Sequence, residues 1–186
     1  MPHTALAGGK GHTLLAECPC ALLQFFDTRQ ACALRLVCRE FQAAVAAHPW
    51  EDRETVILGS IGGWRACFPR ARCANVRRGH WDEEAVVRRA PVVDADFVHF
   101  VGLWELDMTR CTVVTDAALV HLRGIRVLDM SDCDQPTITD AGLARLVGIQ
   151  KLGIVCHGPE FRLGTTLTSS QLVHYILWPS GSSRWL

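Results

Sequence analysis

The sequence predicts a two-part α/β protein, a small helical module followed by a short stack of strand–turn–helix units. Three observations predict it: a doubled segment, an apolar stripe at helical spacing before it, and a core-forming composition. Residues 103–125 read LWELDMTRCTVVTDAALVHLRGI, and residues 125–149 read IRVLDMSDCDQPTITDAGLARLVGI. Leu106-Asp107-Met108 recurs as Leu128-Asp129-Met130 and Cys111 as Cys133, both 22 positions later. Thr115-Asp116 recurs as Thr139-Asp140, 24 positions later, because two residues are added around Gln135-Pro136. A period in the low twenties marks a solenoid, in which each unit buries its apolar face only by stacking on its neighbours.

Each unit has a physical reading. Alternation puts Leu106 and Met108 on one face of a short strand and Glu105, Asp107 and Thr109 on the other. Leu119 and Leu122 then share one face of a helix. Thr115 or Asp116 is placed to cap that helix, and Gly124 suits a left-handed exit. The pattern runs backwards, with Val92–Leu103 lying over Ile138–Ile149 without a gap, and forwards more weakly through Leu152-Gly153-Ile154 and Leu167–Ile176. The stacked zone therefore covers residues 92–177.

On these residues the chain resembles the cysteine-containing leucine-rich repeats, whose unit reads L-x-x-L-x-L-x-x-C, then an apolar residue, T-D, a small residue and L. The resemblance implies a right-handed β-α superhelix. It also implies that Cys111 and Cys133 are buried in the turn, where they satisfy backbone groups. The third unit departs from the pattern, with His157 at the cysteine register and Cys156 one place early.

Before the units, Leu34, Val37, Cys38, Phe41 and Val45 recur at three- and four-residue steps, which predicts one helix with a buried stripe. Asp27-Thr28-Arg29 suits a helix start, and Leu22, Leu23, Phe25 and Phe26 cluster ahead of it. The order of residues in FFDTRQACALRLVCREF resembles an F-box, the helical module of substrate receptors in cullin–RING ubiquitin ligases, and Trp50 falls where that family often closes. Leu14-Leu15 stands in the register of the family's opening Leu-Pro. Pro19 falls where a helix interior would cost about 3 kcal/mol, which moves the expected start of the first helix towards Cys18.

The expected organisation is a flexible tail at 1–13, the F-box-like module at 14–53, a connector capping the array at 54–91, the repeats at 92–177 and a tail at 178–186. In the connector, Thr55–Leu58 suits a strand, and no clear strand is found for the unit whose helix is Asp94–Phe100. Trp178, Trp185 and Leu186 in the C-terminal tail are placed to cover the last unit.

Hydrophobic residues make up 49% of the chain, enough for a core, and the formal net charge is zero, so no global field draws nucleic acid. The locally basic stretch 65–89 is read as a solvated face. No apolar run of membrane-spanning length occurs. The nine cysteines lack the two-residue spacing of zinc knuckles, and no metal or cofactor is expected. The F-box resemblance implies a reducing cytoplasmic or nuclear compartment, in which they would be free thiols. No nucleophile elbow, phosphate loop or His-Glu zinc motif is present, so no catalytic residue is assigned. Asp116 and Asp140 are expected to act as helix-start residues. His99, His121 and His174 are expected to be exposed on helix surfaces.

The resemblance implies a non-catalytic substrate receptor. Leu14, Leu22, Leu23, Phe25, Phe26, Leu36 and Val37 would grip a Skp-family adaptor and through it a cullin. Glu105, Asp107, Thr109, Val127, Asp129, Ser131 and Lys151 would hold a target protein. Asp107 and Asp129 should lie about 5 Å apart on the open sheet face, as two solvated carboxylates or as a site for a partner's cation, replaceable by alanine without loss of stability. The alternative is a stand-alone binding module with a helical cap and no ligase link.

Overall fold

The computed structural model describes residues 21–79, 90–133 and 137–154, and the backbone of a strand at Tyr175–Ile176. Leu14, Pro19, both tails, residues 80–89 of the basic stretch, the Cys156-His157 turn and His174 lie outside the described residues.

In the helical module, α1 (Thr28–Leu34) starts at Asp27. Asp27 Oδ1 accepts from the Gln30 amide at 2.6 Å, and Gln30 Oε1 accepts from the Asp27 amide at 3.1 Å. The two residues thus satisfy each other's free donors at the helix start. The single helix expected through Leu34, Val37, Cys38 and Phe41 is instead two. The Leu36 and Val37 amides bond back only three residues, to Ala33 and Leu34, which tightens and ends α1. Cys38 is then extended, at φ −159 and ψ 169, and α2 (Arg39–Ala47) begins after it. Val45 turns inward while Val37 is left on the surface. The module's core is Leu23, Ala31, Val45, Trp50, Phe68 and Ala71. Trp50 donates from Nε1 to the Val45 carbonyl at 2.8 Å and meets Phe68 edge-on at 5.5 Å.

Asp52 ties α1 to the segment that leads out of the module. Its Oδ2 accepts from the Thr28 amide at 2.8 Å and the Thr28 hydroxyl at 2.7 Å, while Oδ1 takes the Glu54 and Thr55 amides. Burial pushes this carboxyl up, but the bonds from Thr28 and Thr55 outweigh it and hold it below the usual carboxylate range. Helix α3 (Ile61–Cys67) comes next, capped by Ser60, and its Trp64 packs against both the module core and the sheet core.

The remainder is a parallel sheet with strands in chain order. Four three-residue strands, β1 (Cys73–Asn75), β2 (Glu105–Asp107), β3 (Val127–Asp129) and β4 (Lys151–Gly153), pair in sequence, and the two-residue β5 (Tyr175–Ile176) pairs with Leu152 and Gly153. The registers are regular: Ala74, Leu106, Leu128 and Leu152 lie side by side. The missing strand of the connector is β1, and Val56 adds one bridge to Asn75. Return segments run behind the sheet: the 3-10 turn Asp94–Phe100, then α4 (Asp116–Leu119) with the 3-10 turn Val120–Leu122, then α5 (Asp140–Leu143). Between the layers lie Phe97, Phe100, Leu106, Met108, Leu119, Leu122 and Leu128, all essentially without solvent contact. Gly102, Gly124 and Gly148 end the three returns at φ 83, 83 and 86, a region that favours glycine.

Two contacts recur from one segment to the next. Cys111 donates to the Val76 carbonyl at 3.5 Å, and Cys133 donates to the Met108 carbonyl at 3.2 Å, so both buried thiols serve the backbone of the preceding segment. Asp94 accepts from the Thr115 amide at 2.8 Å and hydroxyl at 2.6 Å. Asp116 repeats this on Thr139 at 2.7 and 2.6 Å. The helix starts themselves are capped by Thr115 and Thr139, whose hydroxyls accept from the Ala117 and Ala141 amides at 3.2 Å. Of the two expected caps, Thr115 is the cap and Asp116 is the first residue of its helix, whose carboxylate clamps the next segment.

The clamp needs Gly142, because a Cβ there would overlap the Asp116 carboxylate and crowd Leu119 Cδ1. Asp116→Ala, which removes two charge-assisted bonds, should cost about 1.5–3 kcal/mol. Gly142→Ala should cost a similar amount in the native background and much less once Asp116 is alanine. Urea unfolding of the two single variants and the double variant tests this, and strictly additive losses would contradict the close approach.

Candidate functional site

The sheet face opposite the return segments is where the target-binding residues were expected. Strands β2, β3 and β4 each bury the middle residue and leave the flanking residues at least partly accessible, whereas all three residues of β1 are buried. Registry then sorts the seven expected residues into columns. Glu105, Val127 and Lys151 form one column, led by Cys73. Asp107 and Asp129 form the second, between Asn75 and Gly153. Thr109 and Ser131 lie two residues beyond the aspartates and are hydrogen-bonded to them.

The aspartates are not simply solvated: one oxygen of each bonds the turn that follows its strand. Asp107 Oδ1 accepts from the Thr109 amide at 3.0 Å and hydroxyl at 2.7 Å. Asp129 Oδ1 does the same with Ser131, at 3.0 and 2.7 Å. On the preceding strand Asn75 has the same role, its Oδ1 accepting from the Arg77 amide at 3.1 Å. Each side chain closes the turn that leaves its strand. The expectation that alanine costs no stability at these positions is therefore corrected. Burial pushes the Asp107 carboxyl up, and the charge of Asp129 beside it adds to the rise against the Thr109 bonds.

Three features of this face were not legible in the sequence. Trp104 lies between two guanidinium groups, Arg72 at 4.0 Å and Arg126 at 4.5 Å from its ring centroid. The Trp104 amide bonds the Arg72 carbonyl and the Arg126 amide bonds the Trp104 carbonyl, so adjacent strands set the stack. Glu105 is paired with Arg53 at 2.7 Å, and Arg72 with Glu51 at 2.8 Å. Arg72 was hidden because β1 and β2 are separated by more residues than β2 and β3.

The adaptor-binding residues divide. Leu22, Phe25, Leu36 and Val37 are exposed, at 45%, 76%, 88% and 66%. Phe26 is half-buried. Leu23 is wholly buried in the module core, so the expectation that it meets a partner is corrected: its side chain holds the module together. His99 and His121 are half-buried, not exposed as expected, and the His99 ring lies against Gly62 of α3.

Among the described residues, no cluster of three or more His, Cys, Asp or Glu side chains is placed to hold a metal, and no helix is long and apolar enough to cross a membrane. The face offers charge pairs, an aromatic–cation stack and closed turns, which suits contact with another macromolecule. No protein-family model matches the chain, and no curated protein matches it either.

Because the pKa of Asp107 is raised, its share of stability is greatest with the proton on and falls as pH rises through its folded value. Asp107→Asn keeps the turn acceptor without the charge and should be neutral or slightly stabilising at pH 7. Asp107→Ala loses both turn bonds and should cost about 1–2 kcal/mol. Thermal melts at pH 5 and 7 compare them, and an asparagine variant as damaged as the alanine one would contradict the turn role.

Proposed function

We propose that the protein is a non-catalytic substrate receptor of an SCF-type ubiquitin ligase. In this reading the helical module is an F-box-like domain and the sheet with its returns is a short leucine-rich-repeat solenoid. The observation that carries the proposal is the set of large apolar side chains this small module leaves in solvent, Leu22, Phe25, Leu36 and Val37. Burying Leu36 and Val37 from their present exposure against a partner would each gain on the order of 1.5–3 kcal/mol. Exposed apolar groups at four positions of a module this small mark a docking surface for a Skp-family adaptor. All four are among the seven positions the F-box resemblance singles out; of the others Leu23 is buried, Phe26 is half-buried and Leu14 lies outside the described residues.

The solenoid reading is supported by the recurring Asp–Thr clamps, the buried Cys111 and Cys133 thiols and the left-handed glycines at matching places. Its open face, with Glu105, Asp107, Val127, Asp129 and Lys151 beside the Arg72–Trp104–Arg126 stack, would hold the target. Tethering a target to the ligase raises the effective concentration of its lysines near the bound ubiquitin carrier. The transfer chemistry belongs to other subunits, in the cytoplasm or nucleus.

Co-purification of the folded full-length protein with a Skp-family adaptor and a cullin tests the proposal. Leu36→Asp combined with Val37→Asp should weaken adaptor binding by roughly 100-fold or more while shifting the melting temperature by no more than a few degrees. A native chain that folds yet binds no adaptor would leave the stand-alone binding module as the reading.

A further inference from the structure

Cys32 and Cys67 lie on different helices, α1 and α3. Cys32 is exposed and Cys67 is half-buried at the edge of the module core. The two thiols are neighbours, and burial first and then the Cys67 sulfur push the Cys32 thiol up against the pull of Arg35. Arg35, one helical turn beyond Cys32, donates from Nη1 to the Cys67 sulfur. A deprotonated thiol attacks disulfides, and a second thiol beside it can close the bond. The described cysteines of the sheet are different. Cys73, Cys111 and Cys133 are buried, and burial pushes Cys133 up to about 12, with the Cys111 sulfur adding to the rise. Those thiols are packing groups, whereas Cys32 and Cys67 are neighbours, the first exposed and the second half-buried, with Arg35 beside them.

We propose that Cys32 and Cys67 form a thiol–disulfide site that low-molecular-weight disulfides of the glutathione class oxidise, stapling α1 of the helical module to α3. The Cys67 thiolate attacks one sulfur of oxidised glutathione. A bond forms between Cys67 and that sulfur, the glutathione S–S bond breaks, and one glutathione leaves and takes up a proton. The Cys32 sulfur, losing its proton to solvent, then attacks Cys67 and expels the second glutathione. Two protein thiols are oxidised to one disulfide, and one glutathione disulfide is reduced to two thiols. The bond closes a loop that contains Trp50 and Asp52, and Asp52 already holds Thr28 at the start of α1, so it reinforces a junction the fold already makes. This inference is independent of the adaptor reading.

The experiment treats the folded full-length protein with oxidised glutathione and maps the peptides without reduction. The expected result is a Cys32–Cys67 cross-linked peptide and a melting temperature raised by roughly 10 °C, both reversed by dithiothreitol. Cys32→Ser should leave Cys67 as a stable mixed disulfide with no rise. A Cys38→Ser variant should still form the bond. Glutathione adducts without the Cys32–Cys67 peptide, or pairing of Cys32 with Cys38 instead, would overturn the proposal.

Discussion

Three-residue strands are weak units. Each offers only a few ladder bonds, and each return helix is about one turn long, too short to hold itself in water. The carboxylates of Asp94 and Asp116 supply what the strands lack. Each takes the amide and the hydroxyl of the next segment's threonine, and that threonine uses the same hydroxyl to cap its own helix. One group therefore fixes the start of a helix and its distance from the helix before it. The cysteines do the equivalent work on the turn just before the clamp, where Cys111 and Cys133 donate to carbonyls of the preceding segment. With that turn and the helix start both fixed, the path from strand to return is set, and with it the alignment of side chains on the open face.

The same chemistry joins the helical module to the rest. Asp52 grips Thr28 by amide and hydroxyl, much as Asp116 grips Thr139. Around that contact Trp50 and Phe68 close the module core, and Trp64 touches both cores. A module anchored on one side in this way can leave Leu36 and Val37 on the other without unfolding. The open face is likewise pre-shaped: Glu105, Asp107 and Asp129 are each held by a neighbour before any partner arrives, which lowers the ordering cost of binding.

Much of the sheet was legible because side-chain alternation and a period in the low twenties are visible in one chain. Leu106, Met108, Cys111 and their counterparts 22 positions on were read as inward, and they are buried. The left-handed exit at Gly124 was readable because only glycine enters that region cheaply. Strand β1 was not legible. Cys73-Ala74-Asn75 has no apolar alternation, and all three residues are buried. The role of Asp116 was misread because its partner, Thr139, belongs to the next segment, and capping statistics describe only local bonds. The break at Cys38 was hidden for a similar reason, since the apolar spacing runs through it and only the backbone turn interrupts the helix. On the candidate face, the columns came from the repeat. The Arg53–Glu105 pair and the Arg72–Trp104–Arg126 stack did not, because Arg53 and Arg72 reach across from a region with no period.

The carboxylate clamps are held to couple each segment to the next. Native-state hydrogen exchange at the Thr115 and Thr139 amides, in the native chain and in Asp94→Ala, tests that coupling most directly. Asp94→Ala should lower protection at Thr115 strongly and at Thr139 measurably, because loosening α4 also loosens the Asp116 clamp it carries. Loss confined to Thr115, with Thr139 protected as before, would contradict it.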